Sequence, residues 1–128
     1  FGYSSVLPII VSGLIAKPGE KLIIENPEIH LHPKSQTALV RFLVAVAKTG
    51  VQVFVESHRD HVLNALRIAV FEKQLTPEDL SVLYFQNDIT SILVDKKGKL
   101  HRKTAEGATA RIPKGCFDEW TNSMAKLF

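Results

Sequence analysis

Apolar and polar residues follow one another in a pattern that predicts two short strands joined by a helix. An apolar run at 22–24 ends abruptly at Glu25, and a second run at 51–55 ends at Glu56. Runs of this length and composition are typical of fully buried strands. Between them, apolar residues recur at helical spacing from 33 to 48. A strand–helix–strand crossover of this length predicts that the two strands are parallel.

The pattern elsewhere predicts further helices and a hairpin. Ser4 or Ser5 is expected to cap a helix running to about Ala16, in which Pro8 is tolerable only near the first turn. Downstream, the pattern predicts a helix at 60–73, a capped turn at 76–79 and strands at 80–85 and 89–94. It then predicts a turn at 96–99, a short strand from Leu100 and a loop at 102–113. The last predicted element is a terminal helix with Phe117, Trp120, Met124 and Leu127 on one face. The predicted fold class is therefore α/β: a parallel sheet followed by a C-terminal antiparallel hairpin and a terminal helix.

Titratable residues follow both predicted strands. After Asn26 and a proline, Glu28 and two histidines alternate, and Glu56 is followed by Ser57 and His58. The carboxyl ends of parallel strands meet at one edge, where open sheets build their sites. Buried carboxylates cost several kcal/mol unless they are paired, protonated or metal-bound. The pattern therefore indicates a functional site at this edge.

Composition narrows the class of protein. The chain of 128 residues is 45% hydrophobic and 23% charged, contains Cys116 as its single cysteine, and has a net charge of +3. No apolar run is long enough to span a bilayer, no signal-peptide layout is present, and we expect a cytoplasmic protein with no membrane partner. Residues 95–114 contain seven Lys or Arg against two acids, a local charge of +5. Such a strip can contact the phosphates of DNA, although a solvated turn and linker is the more common explanation.

Four segments carry a resemblance to a known family. LIIENPEIHLHP at 22–33 resembles the extended Walker B segment of ABC-type ATPases of the OLD and SMC-like kind, and VFVESHRDHVLN at 53–64 resembles their switch-histidine segment. The opening FGYSSVLPII is similar to their signature helix, and KGCFDEW resembles the end of a small C-terminal domain of unknown function. The resemblance implies the C-terminal half of a P-loop NTPase-like ABC ATPase head at 1–79, with a small hairpin and helix region at 80–128.

The resemblance also implies roles at the strand ends. By position, Glu25 is the acid that holds Mg²⁺, and Asn26 stands where the family carries its catalytic glutamate. An amide can hold a water molecule but cannot take its proton. Glu28 or Glu56 is a possible substitute base, and the sequence does not decide between them.

His58 matches the histidine that reaches the γ-phosphate of ATP in the family. The signature segment implies that Gly2, Ser4 and Ser5 face ATP bound on the partner subunit of a head-to-head homodimer, at a helix N-terminus that favours a phosphate. A cap at the start of the helix would explain the serines equally well.

The sequence contains no GxxxxGK[ST] loop to cradle phosphates. We therefore expect a fragment of a longer protein, inactive by itself, whose intact form binds Mg-ATP and couples its hydrolysis to DNA transactions or phage defence. The coupling to DNA transactions or phage defence is an analogy with the family.

Two alternatives differ in class. Glu28, His30, His32 and His58 have side chains that suit zinc, manganese or iron, which predicts a metal-dependent hydrolase. His30 and His32 also lie where the ATPases carry the loop that crosses the dimer interface. A non-catalytic interaction module is the second alternative.

Overall fold

The computed structural model describes residues 2–85, 87–103 and 109–110, with the side chains of 4–85 and 87–103. The chain forms two compact units, Phe1–Ala69 and Val70–Phe128. The elements are α1 (Gly2–Ile15), β1 (Lys21–Glu25), α2 (Pro33–Lys48), β2 (Gln52–Glu56), α3 (Asp60–Phe71), a 3₁₀ turn (Pro77–Asp79), β3 (Val82–Phe85), β4 (Ile89–Val94), β5 (Leu100–Lys103) and β6 (Thr109–Ala110). The chain is thus mixed α/β, and the predicted terminal helix lies outside the described residues.

The parallel pairing of the first two strands is confirmed. β1 and β2 pair in parallel, with Lys21 opposite Gln52 and Glu25 opposite Glu56. The sheet buries one face, where Ile24 is only 6% exposed, whereas Ile23 on the other face is 71% exposed. The prediction of fully buried strands is therefore wrong, because the described residues cover a single face of this two-stranded sheet.

Helix α2 covers the buried face of the sheet. Pro33 occupies its first turn, as its fixed φ and missing N–H favour, and the helix ends at Lys48 as predicted. Leu39 and Leu43 form a core cluster with Ile24, and Phe42 packs against that cluster. Gly50 follows the helix at φ 93°, a conformation that glycine adopts without strain and that ends the helix.

Helix α1 differs from its prediction in two respects. It begins at Gly2, so Ser4 and Ser5 lie within its first turn instead of capping it, and Pro8 lies inside the helix. Gly13 is buried, and a Cβ there would stand 2.8 Å from the ring of Phe42. The close approach of α1 to α2 therefore favours glycine, since a larger residue would displace that ring. Exposed apolar residues of α1 include Leu7, Val11 and Leu14.

The second unit contains an antiparallel sheet with strand order β3-β4-β5-β6. The predicted hairpin and third strand are confirmed, and the pairing of β6 with β5 replaces part of the predicted loop. Asp95 organises the turn between β4 and β5, where its carboxylate accepts the N–H groups of Lys97 and Lys99. Ile92 and Val94 are buried. In the part of the chain that the structure describes, no helix has the length and apolarity needed to cross a membrane.

Candidate functional site

The two motif strands end side by side. Glu25 and Glu56 are register partners at the last position of β1 and β2, and both side chains are exposed. The backbone N–H of Asn26 donates to the carbonyl of Glu56 at 2.9 Å, which extends the pairing by one residue. Neighbouring strands lie about 4.8 Å apart, so the two carboxylates share one small area of the sheet edge. Their mutual repulsion favours a cation there.

Immediately beyond β1 the chain makes two successive tight turns. The N–H of Ile29 donates to the carbonyl of Asn26 at 3.2 Å, and that of Leu31 donates to the carbonyl of Glu28 at 3.1 Å. Asn26 and His30 have φ of 47° and 64°, in the left-handed region. Asparagine and histidine are among the non-glycine residues that adopt this region most often. Residues 28–32, in which Glu28 and two histidines alternate with apolar residues, therefore form turns and not a strand.

Glu28 joins the two loops that follow the strands. Its side chain is 6% exposed. Its Oε1 accepts the hydroxyl of Ser57 at 2.8 Å and the backbone N–H of His58 at 3.0 Å. Hydrogen bonds to a charged acceptor are stronger than neutral ones, so this contact fixes the position of the His58 backbone relative to the turn after β1.

A pocket of about 570 Å³ lies beside these two loops. Its wall contains the apolar side chains of Ile29, Leu31 and Pro33 and the buried polar side chains of Glu28 and Gln36. The amide nitrogen of Gln36 donates to the carbonyl of Leu31 at 2.9 Å. Asn26, His30, His58, Arg59 and His61 complete the lining. Three of the titratable residues that the sequence singled out, Glu28, His30 and His58, thus line one pocket, whereas Glu25, Glu56 and His32 do not.

The His58 side chain extends outward from this arrangement. It is 74% exposed, and its Nε2 lies 3.6 Å from Oε1 of Glu56. The imidazole is therefore free to meet a ligand, while its backbone is held by Glu28.

Three predicted phosphate contacts lie at the start of α1. Ser4 and Ser5 are exposed in its first turn, and Gly2 is its first residue. The side-chain surroundings of Gly2 lie outside the described residues. Neither serine lines the pocket.

The ligand set of the alternative metal hydrolase is not assembled. His32 caps α2, with its Nδ1 accepting the N–H of Lys34 at 3.4 Å, and it does not line the pocket. Among the residues that the structure describes, no group of three or more His, Cys, Asp or Glu side chains could hold a metal ion. The turns at Asn26 and His30 are the physical reason, because they remove the strand alternation on which that ligand set depended.

Sequence reasoning missed three residues of this site: Gln36, Ser57 and Arg59. Gln36 precedes Leu39, Val40 and Leu43 by three, four and seven positions, which places an amide on the apolar face of α2. A polar residue in the buried stripe of a helix is a signal that the sequence contains. No comparable signal in the sequence points to the hydroxyl of Ser57.

Comparison with known protein families gives one match. The family model described as "AAA domain, putative AbiEii toxin, Type IV TA system" matches residues 1–64, half of the chain. Those residues include β1, β2, Glu28 and His58. Searches of curated proteins and of solved structures found no significant match.

Proposed function

The chain belongs to the AAA-domain family to which that model corresponds, and we propose that it supplies one half of an Mg-ATP site in an ATPase of the ABC-like, OLD and SMC-related kind. The other half of the site, with a phosphate-cradling loop, comes from residues outside this sequence. The intact protein binds ATP between two head domains of a homodimer.

One observation supports this proposal more than any other. The parallel register sets Glu25 beside Glu56, and Glu28 links the turn after β1 to the backbone of His58. Carboxylates and an imidazole therefore meet at the carboxyl edge of parallel strands, where ligands bind in open α/β sheets.

The acidic residues suit magnesium. Mg²⁺ prefers oxygen ligands, keeps several of its waters and commonly uses one or two carboxylates together with substrate phosphates. Glu25 and Glu56 offer such carboxylates, both exposed and adjacent. When bound, the ion would neutralise charge on the phosphate oxygens. In this proposal Glu25 holds the ion.

Proton removal from the attacking water needs a carboxylate near Glu25. Asn26 orients the water but has no basic group. Oε1 of Glu28 already accepts two hydrogen bonds, and the side chain is buried. Glu56 is exposed and adjacent. We therefore propose that hydrolysis is slow because Asn26 cannot accept the proton of the attacking water. Glu56 is favoured over Glu28 as the residue that accepts this proton instead.

His58 contacts the terminal phosphate of the bound nucleotide, and the first turn of α1, with Gly2, Ser4 and Ser5, faces the nucleotide of the partner subunit. An imidazole donates a hydrogen bond to a phosphate oxygen, and a helix N-terminus favours a negative charge.

Activity of the intact protein tests the proposal. Glu25→Ala is expected to weaken Mg-ATP binding, whereas His58→Ala is expected to slow hydrolysis by ~10²-fold. Glu20→Gln, at the opposite end of β1, is the matched control and leaves both unchanged. If ATP binding and hydrolysis are the same in all three variants, the proposed site is wrong. The 128-residue chain alone is expected to show no ATPase activity and no micromolar affinity for Mg-ATP.

Coupling of hydrolysis to DNA or to defence rests on the family resemblance and on the basic strip at 95–114. Lys96, Lys97, Lys99, Arg102 and Lys103 are exposed. If they contact phosphates, DNA affinity falls steeply with added salt because counterions are released. DNA binding that survives reversal of these charges in the intact protein would contradict this part of the proposal.

A further inference from the structure

We propose that Glu28 and Ser57 are positioning residues for ATP hydrolysis, which together hold the His58 imidazole in place for the terminal phosphate. The inference deepens the proposed function and rests on it. Neither residue contacts the nucleotide in this assignment, and both act through His58. It gives a role in the reaction to the Ser57 hydroxyl and separates Glu28 from the candidate bases.

Three consecutive residues after β2 are held by one set of hydrogen bonds, which we call the Glu28–Ser57 bridge. The hydroxyl of Ser57 donates to Oε1 of Glu28 at 2.8 Å, and the backbone N–H of His58 donates to the same oxygen at 3.0 Å. The backbone N–H of Arg59 donates to Oγ of Ser57 at 3.2 Å. The hydroxyl thus serves as donor and acceptor at once, as its chemistry allows. The segment that carries the imidazole is therefore restrained along its backbone.

The other side of the bridge is the turn after β1, which carries Asn26. Glu28 lies within this turn, in which the N–H of Ile29 donates to the carbonyl of Asn26 at 3.2 Å. The side chain of Glu28 is only 6% exposed, so water competes little for its hydrogen bonds. One buried carboxylate oxygen therefore sets the spacing between the turn at Asn26 and the backbone of His58.

The position of the His58 side chain depends strongly on this backbone restraint. Because the side chain is 74% exposed, packing does little to hold it. A displacement of about 1 Å at a reacting group can slow a reaction by ~10²-fold. In the proposed site Glu25 supplies the contact to magnesium, and the bridge does not include it. Loss of the bridge should therefore lower the rate of hydrolysis and leave the affinity for Mg-ATP unchanged.

Ser57→Ala in the intact protein is the first test, with single-turnover hydrolysis and Mg-ATP affinity as the two readouts. The rate should fall about tenfold, the effect of one hydrogen bond to a charged group, while the affinity stays the same. Ser57→Thr keeps the hydroxyl and should restore the rate. Thr49→Ala is the matched control, because it removes a hydroxyl that donates to the carbonyl of Val46 at 2.7 Å, before the start of β2. A wild-type rate for Ser57→Ala, or an affinity that falls as much as the rate, would overturn the proposal.

A double variant separates positioning of His58 from a general structural role. If the bridge acts through the imidazole, adding Ser57→Ala to His58→Ala should slow hydrolysis no further than the ~10²-fold loss of His58→Ala alone. A structural role would instead multiply the two losses to about 10³-fold. That larger loss would contradict the assignment of Ser57.

Glu28→Gln separates positioning by Glu28 from a role as base. Glutamine keeps an oxygen that can accept from Ser57 and His58, so the rate should remain within about tenfold of wild type. Removal of a general base typically costs ~10²- to 10⁴-fold. A loss in that range would make Glu28 the base and would refute its role as a positioning residue.

His58→Ala in the same assay distinguishes failure of this inference from failure of the proposed function. If His58→Ala hydrolyses ATP at the wild-type rate, the proposed phosphate contact is wrong, and positioning of His58 is wrong with it. If His58→Ala is slow while Ser57→Ala retains the wild-type rate, the proposed site stands and the bridge alone is refuted.

Discussion

Each unit of the molecule contains a turn organised by a single carboxylate, and the two differ in how completely that carboxylate is satisfied. Asp95 uses both oxygens: Oδ1 accepts from Lys97 and Lys99, and Oδ2 lies 2.8 Å from Nε2 of His101. Glu28 uses Oε1 for two donors and leaves Oε2 buried without one.

This difference separates a carboxylate whose two oxygens both accept hydrogen bonds from one that keeps an unpaired oxygen. The hydrogen bond from His101, followed by that from the Lys99 backbone, lowers the pKa of Asp95 to about 2 from 3.8. Both of its oxygens therefore take part in closing the β4–β5 turn. Variants at the carboxyl edge of β1 and β2 should therefore change binding and chemistry, whereas variants at Asp95 should change stability alone.

The largest expected effect is at Asn26 in the intact protein. If Asn26 leaves the base position vacant, Asn26→Glu should raise the single-turnover rate by ~10²- to 10⁴-fold, the usual contribution of a general base. Because residue 26 has φ of 47°, glutamate also costs about 1 to 2 kcal/mol of stability there. Single-turnover hydrolysis measures the first effect and urea unfolding the second.

Asn26→Gly is the matched control for the backbone. Glycine relieves the left-handed conformation without adding a carboxylate, so it should not raise the rate. If Asn26→Glu is no faster and Glu56→Gln or Glu28→Gln abolishes turnover, the base is already present and the assignment of Asn26 is wrong.

Removal of the Glu28 side chain should come next in size. Glu28→Ala leaves the Ser57 hydroxyl and the His58 N–H without their acceptor and opens a cavity, which should lower the free energy of unfolding by about 2 to 4 kcal/mol. Glu28→Gln retains an acceptor and should cost about 1 kcal/mol or less. If urea denaturation gives the same loss of unfolding free energy for both variants, the carboxylate of Glu28 does not join the two loops.

The smallest effect concerns Asp95 and depends on pH. The pKa of Asp95 is lowered on folding, so its stabilising contribution is fully present above 3.8 and is lost as pH falls from 3.8 through about 2. Asp95→Asn keeps an acceptor for the backbone but removes the charge. The difference in unfolding free energy between wild type and Asp95→Asn should shrink over that interval, and a difference independent of pH would contradict the account.

The sequence predicts the elements of this chain well and their burial poorly. The bounds of α2, the parallel pair and the β3–β4 hairpin follow from periodicity and from Pro33 and Gly50. The exposure of Ile23 and Phe54 does not follow from the sequence. An apolar run predicts a strand that can be buried on both faces, but it does not predict how many layers of structure cover that strand. Pro8 was expected near the first turn of α1 but lies further inside the helix.

The site was predictable in its location and not in its internal contacts. Two apolar runs that each end in glutamate indicated the sheet edge. The role of Glu28 depends on a hydrogen bond to Ser57, 29 positions away, and such a pairing is set by tertiary structure. The turn at Asn26 was visible only in part, since Pro27 indicated a break in the strand but not the left-handed conformation.

Paramagnetic broadening by Mn²⁺, substituted for Mg²⁺ with ATP in the intact protein, tests the central claim most directly. The ends of β1 are about 13 Å apart at the usual rise per residue, so the sheet itself provides a ruler. We predict ATP-dependent broadening of the amide resonances of Glu25 and Glu56 that exceeds the broadening of Lys21 and Gln52. Equal broadening at both ends, a reversed gradient, or no dependence on ATP would contradict a magnesium-nucleotide site at the carboxyl edge of these strands.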